Sequence, residues 1–155
     1  MIRPYQPIDL DTLKNITATC FVAVSIDRNI EERFGTIGGH DWQFRKLRHI
    51  DDDVAGEKAL GVFVWEEAGE VVGYITTRVD HHSKIGGIPN IAVLPQTQGR
   101  GIGRKLLEHG LDYLRSAGME CARIETLAQN AIGSHLYPAL GFEEVAQQIH
   151  YCKRL

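Results

Sequence analysis

Gln98-Gly99-Arg100-Gly101-Ile102-Gly103-Arg104 stands between an apolar run, Ile88-Pro89-Asn90-Ile91-Ala92-Val93-Leu94, and an amphipathic stretch from Lys105 to Ala117. Glycines at that junction leave backbone N–H groups uncovered and let a ligand come close. The start of a helix adds partial positive charge, so the turn suits a phosphate or pyrophosphate. The backbone N–H groups from Gly99 through Gly101, Ile102 and Gly103 to Arg104 are the primary binders. Arg100 and Arg104 can add charge-assisted bonds, or can be a solvated basic pair. Gly101 and Gly103 matter more than either arginine, because side chains there would push phosphates off the N–H groups.

Spacing narrows the choice of ligand. A Walker loop needs Gly, four residues and then Gly-Lys-Ser/Thr, which this stretch lacks. The dinucleotide fingerprint would need a third glycine where Arg104 stands. Gln98-x-x-Gly101-x-Gly103 does fit Gln/Arg-x-x-Gly-x-Gly/Ala. It resembles the pyrophosphate loop of the GNAT superfamily of acetyl-CoA-dependent N-acyltransferases. A second block, Asn130-Ala131-Ile132-Gly133-Ser134-His135-Leu136-Tyr137-Pro138-Ala139-Leu140-Gly141-Phe142, is similar to that family's asparagine, tyrosine seven residues on, and closing Gly-Phe. The resemblance is close from about Leu60 to Leu155 and weak before it.

The resemblance implies an α/β (α+β) fold with a mixed, mostly antiparallel sheet and helices on both faces. Its cofactor site is a gap where the fourth strand, bulged, splays from the fifth. It implies acetyl-CoA as co-substrate, no metal, and direct attack on the thioester by a primary amine. That amine is either a small molecule or the N-terminus of a peptide or protein. A different class of reading is a catalytically idle CoA-binding sensor. Carried over, Ile91, Ala92 and Val93 would bond the pantetheine amides and place one N–H near the thioester oxygen; otherwise the run is a plain buried strand. Gln98 and Asn130 belong to the cofactor motifs.

Tyr137 is the candidate general acid, and it also borders the cofactor. Asn130, Gly133 or Ser134, and Tyr137 share one helix face, while Ile132, Leu136 and Leu140 form another stripe that can hold the helix to the core. A phenol near pKa ~10 can protonate a thiolate whose free value is near ~8.5. The alternative is a tyrosine packed at a helix end. Pro138 removes a helical N–H and disfavours αR at Tyr137, so the helix is expected to kink or tighten where the phenol must be aimed. For the base, the histone-acetylating branch has an early glutamate on its fourth strand, and that position here is Gly87. Glu125 matches instead the glutamate of Leu/Ile-Glu-Val/Thr in the bacterial ribosomal-protein N-terminal acetyltransferases. It could deprotonate the ammonium directly or through water, or merely pair with Arg123.

The rest of the chain sets bounds. At 155 residues a single domain, 1–155, with a real core is expected. A net charge of −3 argues against nucleic acid as the main partner. The start, Met1 to Pro7, lacks the apolar centre of a signal peptide, and no run is long enough to span a bilayer. Cys20, Cys121 and Cys152 fit no zinc spacing and read as reduced thiols of a cytoplasmic protein. His81-His82 reads as a solvated turn rather than a metal pair, and Asp51-Asp52-Asp53 as a solvated charge run. Trp42, Phe34 and Phe44 can line an acceptor pocket, or be core.

The patterning predicts a first strand at Ile2–Tyr5 and a helix capped by Asp9 and running to Phe21. A second helix is capped by Ser25 or Asp27, with Ile26, Ile30 and Phe34 on one face, and a further helical stretch spans Trp42–Ile50. A hairpin turns at Ala68-Gly69 between Leu60–Trp65 and Val71–Val79. Later elements are a strand at Ile88–Leu94, a helix at Gly101–Ala117 stopped by Gly118, a strand at Cys121–Ala128 and a helix at Asn130–Leu140. Closing strands are expected at Phe142–Val145 and Gln148–Arg154, the last able to pair across a homodimer.

Overall fold

The run Val62-Phe63-Val64 is buried at all three positions because both faces of the strand it forms are covered. The computed structural model describes residues 1–155. Five strands form one sheet: β1 (Ile2–Pro4), β2 (Val62–Glu67), β3 (Glu70–Arg78), β4 (Ile85–Val93) and β5 (Cys121–Ile124), in that spatial order. Neighbours are antiparallel except β4 and β5, which run parallel. Helices α1 (Leu10–Cys20), α2 (Ile26–Phe34) and α3 (Trp42–Asp53) lie between β1 and β2. Helix α4 (Ile102–Ser116) connects β4 to β5, and α5 (Ala131–Ala139) follows β5.

Alternation along the strands divides the apolar side chains between two cores. On one face Leu13 and Ile16 of α1 and Ile50 of α3 pack against Val62, Val64, Tyr74 and Ala92. On the other, Ile102, Leu106, Leu107 and Leu114 of α4 pack against Phe63, Ile75, Ile88 and Val93. The α4 side is tight: a Cβ built on Gly110 would lie 2.7 Å from Ile75 Cδ1. Glycine there lets the helix sit directly on β3. Tyr74 is fully buried with its hydroxyl 2.6 Å from Thr17 Oγ1, which satisfies the polar end of an otherwise apolar side chain.

The hairpin turn at Ala68-Gly69 is present, both residues having positive φ (50° and 84°). Several expectations change. No strand forms after α5: Phe142–Val145 and Gln148–Arg154 carry no sheet pairing, with Val145, Ile149 and Tyr151 exposed and Arg154 bonded to the Phe34 carbonyl. The alternation there is interrupted by Glu143-Glu144 and Gln147-Gln148, and the only neighbouring edge, β5, is four residues long. Strand β5 itself stops at Ile124, four residues short of the expected end, because β4 diverges from it there. Of the two outcomes expected at Pro138, the helix tightens: the proline lies in the last turn of α5, with Leu140 and Gly141 N–H donating three residues back to Tyr137 and Pro138. Asp9 stands at the N-cap position of α1, but its side chain accepts no bond from that helix.

Asp9 instead joins the first strand to the helical layer. Its buried carboxylate accepts from Arg3 Nη1 (2.8 Å) and Nη2 (3.0 Å) and from the Gln6 N–H (2.8 Å). The Arg3 hydrogen bond holds Asp9 below the usual carboxylate range despite desolvation. Its stabilisation is therefore present above the unfolded value of ~4 and is lost as pH falls through the lower folded value. Asp9→Asn should cost about 3 kcal/mol at pH 7, the low end for removing one partner of a buried pair, because Arg3 is partly exposed and keeps Glu66. In urea melts the gap to the wild type should be flat between pH 5 and 8 and shrink towards pH 3; a gap unchanged at pH 3 would show that charge is not its source.

Candidate active site

The site begins with a miscount between β3 and β4. Thr76 pairs with Asn90 and Arg78 with Gly87, so Thr77 alone faces Ile88 and Pro89. That is a bulge on β4, and Pro89, which has no N–H to donate, is tolerated in it. Beyond it β4 stays with β3 but leaves β5, whose pairing ends at Ile88–Ile124. A gap opens alongside residues 89–93.

Backbone parity decides which groups look into the gap. The Leu94 N–H bonds the Val72 carbonyl, so in this register Ala92 also turns its backbone to β3 while Ile91 and Val93 turn theirs away. Of the three expected pantetheine partners, Ile91 and Val93 therefore present N–H and C=O to the gap and Ala92 does not. The Val93 carbonyl is met there by Gln98 Nε2 at 2.8 Å and, from α1, by Cys20 Sγ at 3.4 Å. Burial pushes the Cys20 thiol up to about 11, so it stays protonated and acts as a donor.

The glycine turn follows directly. Gly99 and Gly101 take φ of 76° and 78°, backbone that side chains rarely adopt, and Gly101 starts α4. The N–H groups of the first turn, Ile102 to Arg104, have no helical acceptor. A Cβ on Gly103 would sit 3.8 Å from Leu136 of α5 and 3.9 Å from Val93, so this glycine lies where α4, α5 and β4 meet. Along α5 an open trough of about 480 Å³ is lined by Ala131, Ile132, His135 and Leu136. The arginines are already paired: Arg100 forks onto Glu67 (2.9 and 3.0 Å), which also accepts from Trp65 Nε1, and Arg104 lies 3.7 Å from Glu108. The donors left without a partner at the turn are those of its backbone.

Asn130 caps α5. Its Oδ1 accepts from the Gly133 N–H (3.1 Å) and its Nδ2 donates to Thr126 Oγ1 (2.9 Å). Tyr137 lies half-buried over Gly133, where a Cβ would come within 2.9 Å of its ring, and edge-on to Phe142. It packs against the α4-side core that contains Val93 and Ile102, and burial raises its pKa, keeping the phenol protonated at neutral pH. Leu136 and Leu140 join the same core, whereas Ile132 is exposed.

Glu125 is the first residue past the last β4–β5 pair. Ala122 and Ile124 point into the α4-side core, so Arg123 and Glu125 point to the opposite face, that of α1 and α3. Both are exposed and form an ion pair of 2.9 Å. On that face Gln129 Nε2 donates to the Ala23 carbonyl (2.6 Å) while its Oε1 accepts from Asn29 Nδ2 (3.0 Å). These bonds clasp the α1–α2 segment to the loop after β5.

Sequence reasoning missed the polar group beside the bulge. Asp53, expected in a solvated run, is 2% exposed, while Asp51 and Asp52 are exposed. Its carboxylate accepts from Thr76 Oγ1 (2.9 Å), Asn90 Nδ2 (2.7 Å) and Arg78 Nη2 (2.8 Å). Asn90 Oδ1 accepts from Lys46 Nζ (2.7 Å). The available signal was helical spacing: Trp42, Lys46, Ile50 and Asp53 fall on one face of α3. Trp42 is core, and Phe44 is exposed and stacked on His40.

A mixed sheet opened between its parallel strands, with a glycine turn and helix start at the mouth, defines the N-acetyltransferase type of α/β fold. Residues 10–142 match the Acetyltransferase (GNAT) family, and the chain belongs to that family. A mycothiol acetyltransferase of Streptomyces griseus is 33% identical over 82 residues, 53% of this chain but 27% of that relative, so the chain spans about a quarter of its length. The ribosomal-protein-S18-alanine N-acetyltransferase structure from Escherichia coli superposes with a TM-score of 0.69 at 25% identity, covering 94% of this chain and 79% of that one. A Brucella melitensis GNAT family acetyltransferase in complex with acetyl-CoA superposes with a TM-score of 0.64 at 26% identity, covering 93% and 82%.

The cap geometry makes Asn130→Ala a clean structural probe. Loss of the Gly133 acceptor should cost about 1 kcal/mol in urea unfolding. An unchanged midpoint would show that the Oδ1 contact does not hold α5 in solution.

Proposed function

We propose that this protein is a cytoplasmic N-acetyltransferase that moves an acetyl group from acetyl-CoA to a primary amine by direct attack. The observation that carries the reading is the gap at Ile91–Val93, open at one end to the N–H groups of Gly99–Arg104. A pyrophosphate at the turn and a pantetheine arm along Ile91 and Val93 put a thioester beside the bulge. Tyr137, on the α4 side, protonates the departing CoA thiolate. Burial raises its pKa, so the phenol holds its proton until a thiolate forms. The thiolate, whose conjugate acid lies near ~8.5, is the weaker base, and water returns a proton to the phenolate to complete the transfer.

The acceptor approaches from the α1–α3 face. Glu125 points to that face at the place where the strands part, and we assign it the proton of the incoming ammonium. Its pairing with Arg123 leaves water as the carrier of that proton. The amine nitrogen then attacks the thioester carbon, the N–C bond forms, the C–S bond breaks, and CoA leaves as the thiol. A backbone N–H facing the gap, from Ile91 or Val93, stabilises the oxyanion between these steps.

Acetyl-CoA should raise the thermal midpoint, because a ligand selective for the folded state shifts unfolding by mass action. With a panel of amines it should release free thiol. Gly101→Val should abolish both responses while the chain stays folded. Undiminished responses in that variant would remove the turn from the cofactor site, and thiol release absent with every amine despite binding would favour a CoA-binding sensor.

The two side-chain roles separate by pH. Tyr137→Phe should lower kcat by about 10²-fold or more with little change in acetyl-CoA affinity. Glu125→Gln should lose most at acid pH, where the amine is protonated, and recover as pH rises towards 9.5. A loss below about threefold in Tyr137→Phe points to water as the acid, and an unchanged acidic limb in Glu125→Gln to solvent as the base.

A further inference from the structure

Lys46 is a cation without a carboxylate of its own. Burial pushes its ammonium below the ordinary lysine range, against the opposing pull of Asp27 and Asp53. Both of those carboxylates are claimed by other cations: Asp53 by Arg78 at 2.8 Å, and Asp27 by Arg45 Nε at 3.2 Å. Asp53 accepts from two neutral donors as well. What Lys46 has is one neutral acceptor, Asn90 Oδ1 at 2.7 Å, and the ring of Phe21, whose centroid is 4.0 Å from Nζ. An ammonium has three N–H donors, so donor capacity remains. A desolvated charge in this state is costly unless an anion completes it.

Its position says where that anion belongs. Asn90 is the residue immediately before Ile91, whose backbone faces the gap. Phe21 follows Cys20, whose thiol reaches the Val93 carbonyl. Lys46, Phe21 and Cys20 thus cover the reactive stretch of β4 from the α1–α3 face, opposite the α4 side on which Tyr137 packs. An amine presented to the thioester from this face would have its other substituents beside the Lys46 ammonium.

We infer that Lys46 selects acceptors that carry a carboxylate a few bonds from the reacting amine. The inference rests on the N-acetyltransferase reading and narrows its acceptor class. The carboxylate ion-pairs with Nζ while the Phe21 ring walls the intervening carbons, and Asn90, fixed by Asp53, holds Nζ in place. The same chemistry is offered by a free amino acid and by an acidic residue at a peptide N-terminus, and matched acceptors distinguish the two.

The test measures thiol release from acetyl-CoA with β-alanine against β-alaninamide, and with the peptide Asp-Ala-Ala against Asn-Ala-Ala, each corrected to its neutral amine fraction. Wild-type protein should favour the acid of at least one pair about tenfold or more in kcat/KM, mostly through KM, as expected for a charged hydrogen bond to a desolvated partner. The pair that shows the preference identifies the source of the carboxylate. Lys46→Met should erase the preference and Lys46→Arg retain most of it. The wild-type comparison does not depend on either variant folding. Equal rates for acids and amides, turnover confined to amines without a carboxylate, or a preference surviving in folded Lys46→Met would overturn the inference alone. Failure of acetyl-CoA to raise the thermal midpoint, with no thiol released from any amine, would instead overturn the N-acetyltransferase reading beneath it.

Discussion

One extra residue in β4 governs the architecture around the site. Because Ile88 and Pro89 together face Thr77, the second half of β4 turns away from β5 while remaining bonded to β3. An unbroken parallel pairing would consume the N–H and C=O groups of Ile91 and Val93 in the sheet. The bulge leaves them unpaired on one side, where their desolvation has to be answered by another partner. Gln98 and Cys20 supply part of that answer at Val93. The remainder is backbone left without a strand partner along one side of β4.

Either side of the bulge the protein uses opposite kinds of material. The α4 face is apolar and tightly packed, with Gly110 bringing the helix onto β3. The α1–α3 face holds a polar network anchored by Asp53 directly beneath the bulge. A buried carboxylate with three donors is stable only when all of them are in place, so Thr76, Arg78 and Asn90 fix β3, β4 and α3 relative to one another. The α4 side of the bulge is therefore an apolar wall, and the α1–α3 side a charged floor whose arrangement depends on exact partners.

The residues that were legible from sequence are those whose role is local. The glycine turn requires left-handed backbone at Gly99 and Gly101, a conformation that favours glycine. The hairpin at Ala68-Gly69, the run Val62–Val64 and the asparagine that starts α5 are equally short-range statements. Asp53 was not legible, because Asp51-Asp52-Asp53 reads as one charge run until α3 is wound through it and separates the buried third member from the exposed first two. The parity that excludes Ala92 from the gap depends on pairing with Val72 and Tyr74, about twenty residues away. The tail after Phe142 carries apolar residues suited to strands, yet a strand also needs an edge, and β5 offers four residues of one.

The brevity of β5 also bears on motion. Only four residue pairs hold it to β4, and α5 is reached only through β5 and the exposed loop that follows. The β5–α5 unit is thus secured less by ladder bonds than by the packing of Leu136, Tyr137 and Leu140 on the α4-side core and by the single clasp at Gln129. Units held in this way open at lower free energy than the sheet that supports them. A molecule lodged between β4 and β5 touches both the fixed wall and the loose one, and so stiffens the segment that carries the phenol. For any molecule that bridges the two strands, binding and the closing of the β5–α5 unit would be a single thermodynamic event, with the entropy of closing carried by the binding step.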